Sequence, residues 1–327
     1  MKKLVAAFGL LVASMLVYAQ ASLSDFPNKP IKLMVPFGPG GASDNVARIL
    51  ALKMSDILGQ QVVVDNRPGA AGNIAVEAVA KSQPDGYSIL LGNVSTNAIN
   101  PTTYASILKV NAGKDLTGVS MVAAVPHVIA ASAKFPPNNI AELVEYAKVR
   151  PGVVNYASAG PGSYPMIDML VFETAAGLKM VHVPFKGGAG QFVVAMISND
   201  VQLSFVNASS VLPLIRANRL KALAVTTAER MPELPNVQTT AEAGYPGVGT
   251  NAWQGLFVAS GTPKAIIQKL HAAVQSALAN PELKSSFAKM TIMPRGSETP
   301  EAFNSFVADD AAKWAQTVKK FNVSLDQ

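Results

Sequence analysis

Ile31-Lys32-Leu33-Met34-Val35-Pro36-Phe37-Gly38-Pro39-Gly40-Gly41-Ala42-Ser43-Asp44 decides how the rest of the chain is read. Residues 31–36 have the apolar content of a short strand. Phe37 to Gly41 is a glycine-rich turn, and Ser43 or Asp44 is placed to cap a following helix. That helix carries Val46, Ile49, Leu50, Met54, Ile57 and Leu58 on one face and stops at Gly59. Val62-Val63-Val64 is a second strand, closed by the turn Asn66-Arg67-Pro68-Gly69. A helix over residues 73–80 leads through Pro84-Asp85-Gly86 into a third strand from Tyr87 to Leu91. A β-α-β-α-β succession argues for an α/β fold, a parallel sheet flanked by helices.

The pattern starts again after a strand-like passage from Val119 to Ala131. Asn139 caps a helix bearing Ile140, Leu143, Val144 and Ala147, which Pro151-Gly152 ends. A strand over 153–157 runs into a second glycine turn, Ser158-Ala159-Gly160-Pro161-Gly162-Ser163, and a helix with Met166, Ile167, Leu170 and Val171 on its apolar face. Strands follow at 181–184, 203–206 and 221–226, with a Lys186-Gly187-Gly188 turn and a helix over 191–197 between the first two. Trp253 to Ala259 is strand-like. Thr262-Pro263 and Thr299-Pro300 each open a closing helix. No Ser/Pro-rich tether separates the halves, so ordered strands join them.

Composition narrows the function. The 327 residues contain no cysteine, so no disulfide supports the fold. The formal net charge is +6, and Lys2 and Lys3 contribute two of those charges. The remaining basic residues are scattered, without the stripe that nucleic-acid binding requires. At the N-terminus, Met1-Lys2-Lys3, an apolar run from Leu4 to Val17, and Ala19-Gln20-Ala21 have the parts of a secretory signal peptide. The run is too short to span a bilayer. The expectation is cleavage near Ala21 and a soluble protein outside the inner membrane, in the periplasm.

Catalytic and metal sets are missing from the pattern. Gly38-Pro39-Gly40-Gly41 fits neither the dinucleotide fingerprint nor the P-loop. Ser163 is not in a G-x-S-x-G elbow, and His127, His182 and His271 are too scattered for a metal site. The sequence therefore predicts no enzyme, cofactor or metal. What repeats is strand, glycine turn, helix start, at Gly38–Asp44 and at Ser158–Ser163. Such a turn leaves amide N–H groups unpaired at the positive end of a helix and makes an anion site. Each N–H donating to a carboxylate contributes roughly 1.5–3 kcal/mol net. Several together reach about −8 kcal/mol after association costs, the micromolar range, without an arginine. The alternative, that these glycines only make tight βα turns, stays open. So do the plain roles of Lys186 as a solvated lysine, Asn207 as a helix cap and Trp253 as a core or hinge residue.

Taken in order, a set of segments resembles the tripartite tricarboxylate transporter receptors, the Bug family of extracytoplasmic binding proteins. They are Pro30-Ile31, Val35-Pro36-Phe37-Gly38-Pro39-Gly40-Gly41-Ala42-Ser43-Asp44, Val64-Asp65-Asn66-Arg67-Pro68-Gly69-Ala70-Ala71-Gly72-Asn73, Pro84-Asp85-Gly86-Tyr87, Ala157 to Ser163, Val183-Pro184-Phe185-Lys186-Gly187-Gly188, Ala241-Glu242-Ala243-Gly244, Trp253-Gln254-Gly255-Leu256 and Gly261-Thr262-Pro263. The resemblance implies a two-domain, type II periplasmic binding protein of the Venus-flytrap kind with two crossover strands. Domain one would join residues 22–124 to 253–327, and domain two would be 125–252. It implies a small organic carboxylate in the cleft, held near Phe37, Gly40, Gly41, Ala42, Ser43, Asp44 and Asn93 on one side. Ser158, Ala159, Gly160, Gly162, Ser163, Lys186, Gly187 and Asn207 would lie on the other, and Arg67 would act within its own loop. The implied partner is an inner-membrane permease, with a sensor kinase as the alternative, and the receptor would be monomeric. Two departures bear on the ligand. The family's His-Leu pair and following Glu are matched by Met166, Ile167 and Leu170, and its Asp after the third strand of this half by Asn207. A dicarboxylate or an aromatic acid is therefore expected in preference to an amino acid.

Overall fold

The structure, a computed structural model, describes residues 25–250 and 252–321. The signal-peptide segment lies outside the described residues. Two sheets organise the chain. The first has six strands in the order β11-β4-β10-β3-β1-β2, the second five in the order β7-β6-β8-β5-β9. In the first half these are β1 (Ile31–Val35), β2 (Val62–Asn66), β3 (Ser88–Asn93) and β4 (Leu116–Val125). The second sheet holds β5 (His127–Ser132), β6 (Asn155–Ser158), β7 (Val181–Pro184), β8 (Leu203–Asn207) and β9 (Leu220–Val225). β10 (Ala252–Ala259) and β11 (Met293–Pro294) return to the first sheet.

β1 pairs in parallel with both β2 and β3, as a βαβ succession requires. β10 is antiparallel between β3 and β4. The chain passes from one sheet to the other at Pro126, between β4 and β5, and returns between β9 and β10. Each sheet with its helices forms a lobe.

The helices of at least two turns are α1 (Ala42–Leu58), α2 (Asn73–Ala80), α3 (Ile140–Lys148), α4 (Tyr164–Ala176), α5 (Ala189–Ser198), α6 (Ala208–Arg216), α7 (Lys264–Ala279), α8 (Pro281–Lys289) and α9 (Pro300–Lys320). Asn139 and Thr299 cap α3 and α9 through their side chains, as their positions predict. Three expectations need correction. α1 is capped by Gly41, not by Ser43 or Asp44, because extended backbone at Gly41 already starts the helix. α7 begins after Pro263, and the Thr262 hydroxyl donates instead to Ala259 O at 2.7 Å. α4 has no single apolar face: Ile167, Asp168, Met169, Phe172 and Glu173 are all buried while Met166 and Leu170 are only half-buried. It lies between the lobes, so Ile167 packs into the first lobe's core and Met169 and Phe172 into the second's.

Candidate functional site

The chain order puts the C-terminal ends of β1, β3, β6, β7 and β8 at the boundary between the lobes, where ligands of open α/β sheets bind. The lobes touch there through hydrogen bonds that each use a backbone group. Gly38 N–H donates to Gly187 O at 3.1 Å, and Tyr164 N–H donates to Ser95 Oγ at 3.0 Å. The Tyr104 hydroxyl donates to Pro161 O at 2.8 Å. At Gly190 a Cβ would stand 2.1 Å from Pro39 O, so only glycine lets the chains approach this closely.

Between them is a cavity of about 30 Å³, room for a water molecule or two. From the first lobe Phe37, Gly41, Ala42, Ser43 and Asn93 line it; from the second, Ala159, Tyr164, Pro165, Gly188, Ala189, Phe192 and Asn207. The lining contains four helix starts: Gly41 to Ser43 of α1, Tyr164 and Pro165 of α4, Gly188 and Ala189 of α5, and Asn207 as the N-cap of α6. Each start carries roughly half a positive charge. The first intrahelical bond of α1 is Asn45 N–H to Gly41 O, so the amides of Ala42 and Ser43 have no acceptor within the helix. No lining side chain is charged. Four positive helix ends around an uncharged hollow repel one another, and an anion placed there relieves that repulsion.

The polar side chains of the second lobe are held from behind. The Tyr164 hydroxyl donates to Asn207 Oδ1 at 2.8 Å, and its ring stacks on His127 with centroids 4.3 Å apart. Burial, then the nearby Asp168 charge, pushes the Tyr164 phenol far above its ordinary value, so it stays a neutral donor. With its oxygen taken, Asn207 presents a buried Nδ2 that has no partner, a donor on the cavity wall.

Several residues expected at the site lie outside the lining of this cavity. Asp44 is 4% exposed, with Oδ2 accepting from Gly40 N–H and Arg48 Nε, each at 3.0 Å, and Oδ1 accepting from Asn66 Nδ2 at 3.0 Å. Burial raises its carboxyl, but the bonds from Arg48, Gly40 and Asn66 outweigh that and hold it below the ordinary value. It fastens the turn that contains Gly40. Three amides of the second glycine turn are already engaged locally. Gly160 N–H donates to Ser158 Oγ, Ser163 N–H to Gly160 O and Gly162 N–H to Met166 Sδ. Ser158 is fully buried, its Oγ 2.5 Å from His182 Nε2, and the Ser163 hydroxyl donates to Gly160 O. Of that turn only Ala159 reaches the lining. The start opposite α1 is that of α5, at Gly188 and Ala189. Gly187 makes the contact to Gly38, while Lys186 beside it is exposed and outside the lining. Arg67 Nε donates to Asp65 Oδ2 at 3.0 Å within its own loop. Trp253 is a core residue whose Nε1 donates to Asp310 Oδ2 at 2.8 Å. The sequence reading missed Tyr164, Pro165, Gly188, Ala189 and Phe192. The Gly187-Gly188 pair was the available signal, since a glycine turn and a helix start follow β7 as they follow β1.

Against known proteins, the model described as "Tripartite tricarboxylate transporter family receptor" matches residues 46–323. The chain belongs to that family. Its members are solute-binding receptors, not enzymes, and the recognition and fold expected from the sequence hold. Protein BugT of Bordetella pertussis is 34% identical over 99% of this chain and 99% of its own. MatC from Rhodopseudomonas palustris, solved with bound malate, is 30% identical with a TM-score of 0.85, covering 90% of this chain and 100% of that one. A second R. palustris protein, solved with adipate, is 32% identical with a TM-score of 0.87, covering 92% and 99%. Among the described residues of this receptor, no helix is long and apolar enough to cross a membrane.

Proposed function

We propose that this receptor captures a small organic carboxylate between its lobes and delivers it to the membrane permease of a tripartite transporter. The observation that carries the reading is the meeting of four helix starts on a cavity with no charged side chain. The ligand's carboxylate accepts from the free amides of α1 at Ala42 and Ser43 and from those of α5 at Ala189, with Ser43, Asn93 and Asn207 adding side-chain bonds. Phe37, Phe192 and Tyr164 flank its carbon skeleton. The malate and adipate in two relatives are acids of this kind. The absence of an acidic lining side chain favours a dicarboxylate or aromatic acid over an amino acid, whose ammonium group would find no counter-charge.

A cavity of about 30 Å³ cannot admit even a small acid unless the lobes part. Residues 22–124 with 253–327, and residues 125–252, are taken as the two bodies, hinged at Pro126 and before Ala252. Export with cleavage near Ala21 places the receptor in the periplasm, where it works as a freely diffusing monomer.

The test is calorimetry on mature protein that has been unfolded and refolded to strip carried ligand. Dicarboxylates including malate and adipate, citrate, benzoate-type acids, amino acids and the corresponding amides form the panel. Micromolar or tighter binding of an acid, lost on amidation, is expected. Silence across the panel from a protein shown to be folded overturns the reading.

A further inference from the structure

α4 runs past both hinge segments. At its start, Tyr164 donates across to Ser95 of the first lobe at 3.0 Å. One turn on, the buried Asp168 accepts from Thr250 N–H at 3.1 Å and from the Thr250 hydroxyl at 2.5 Å. Its Oδ2 lies 3.9 Å from His127 Nδ1. Thr250 stands just before β10 and His127 just after Pro126, so both crossings are gathered at Asp168. Beyond it, Val171, Thr174 and Ala175 face Lys313, Trp314 and Thr317 of α9, which belongs to the first lobe, across a groove of about 690 Å³.

We propose that α4 is a lever with its pivot at Asp168, and that the groove behind the hinge sets how far the ligand cleft stands open. With 1.5 Å of rise per residue, the arms from Asp168 to Tyr164 and to Ala175 are roughly 6 and 10 Å. A rotation that lifts Tyr164 from Ser95 carries Ala175 towards α9. The cleft therefore opens only as far as the groove can narrow. A side chain that fills the groove holds the lobes together, and one that fills it from either wall does the same. The groove is wide where the cleft is closed, as the lever requires. The inference rests on the hinge motion assigned above, not on the identity of the ligand.

The chain has no cysteine, so a spin-label pair can be placed without background. Leu52→Cys on α1 and Val194→Cys on α5 use exposed positions on opposite lobes. Distances are measured by pulsed electron resonance without ligand, and dissociation constants with adipate as the probe. Ala175→Trp from the α4 wall, and separately Lys313→Trp from the α9 wall, fill the groove at exposed positions. Each is expected to remove the longer distances and tighten adipate binding about five-fold, as a shift from about one-tenth to one-half closed implies. Val149→Trp, exposed and remote from the groove, leaves both unchanged. Unchanged or lengthened distances in both groove variants, or the same shift in Val149→Trp, overturn the proposal. The distance measurement needs no ligand, so failure of adipate to bind counts against the carboxylate reading and not against the lever.

Discussion

Asn207 and Asp44 show how far a single residue's role depends on its neighbours. Both are polar, buried and next to a helix start, yet Asp44 has both oxygens engaged, while Asn207, its oxygen occupied by Tyr164, keeps its Nδ2 without a partner. Asn207→Asp puts an unpaired carboxylate on a wall with no cation. Adipate affinity is expected to fall roughly a hundred-fold, the cost of juxtaposing like charges, while an amino acid gains relative to it. Parallel titrations of the variant check this; equal change for both ligand types would remove Asn207 from the wall. Elsewhere, burial holds His182 down to about 4 from an ordinary 6.5. The unfolded chain takes up a proton at a pH where the folded one refuses it, so stability is complete above 6.5 and declines as pH falls towards about 4. Thermal melts across that window should show the decline, and His182→Gln, which cannot titrate, should flatten it.

Among elements, what the sequence made legible was whatever is decided locally. Strand, glycine turn and helix after Ile31 and again after Asn155 follow from apolar spacing and breakers, and the helix at 73–80 has the predicted bounds. Which turns face each other was not legible, because that depends on the sheet order β7-β6-β8-β5-β9, set by tertiary pairing. The Ser158–Ser163 turn is rich in glycine but engages the amides of Gly160, Gly162 and Ser163 locally, whereas the plainer start at Gly188 meets α1. Tyr164 and Phe192 could not be told from core residues by periodicity, since a cavity wall and a core share the same apolar pattern. α4 misled for a related reason: packed on both sides, it has no polar face to mark. The meeting of α1 with α5 is itself testable. Gly190→Ala introduces a Cβ that would stand 2.1 Å from Pro39 O in the closed form and is relieved when the lobes part. Adipate affinity should drop at least about ten-fold, or ~1.4 kcal/mol, with the melting temperature of the ligand-free protein unchanged. A parallel loss of both would mark Gly190 as a folding residue instead.

At the scale of the whole molecule, two sheets are joined twice, and on the reading proposed above they hinge, with the ligand on one side and the groove on the other. The family match over residues 46–323, and the likeness to BugT, MatC and the adipate-bound protein over 99%, 90% and 92% of this chain, show a receptor of one architecture along most of its length. The uncharged cavity has a consequence for the conditions under which such a receptor works. The proposed grip consists of peptide groups, amides, a hydroxyl and a phenol kept neutral by burial, none of which gains or loses a proton near neutrality. The wall thus adds no acid–base switch of its own, and capture begins to fail only where the carboxylic acid itself becomes protonated. A binding protein built this way keeps its appetite constant while the surrounding medium sours or sweetens.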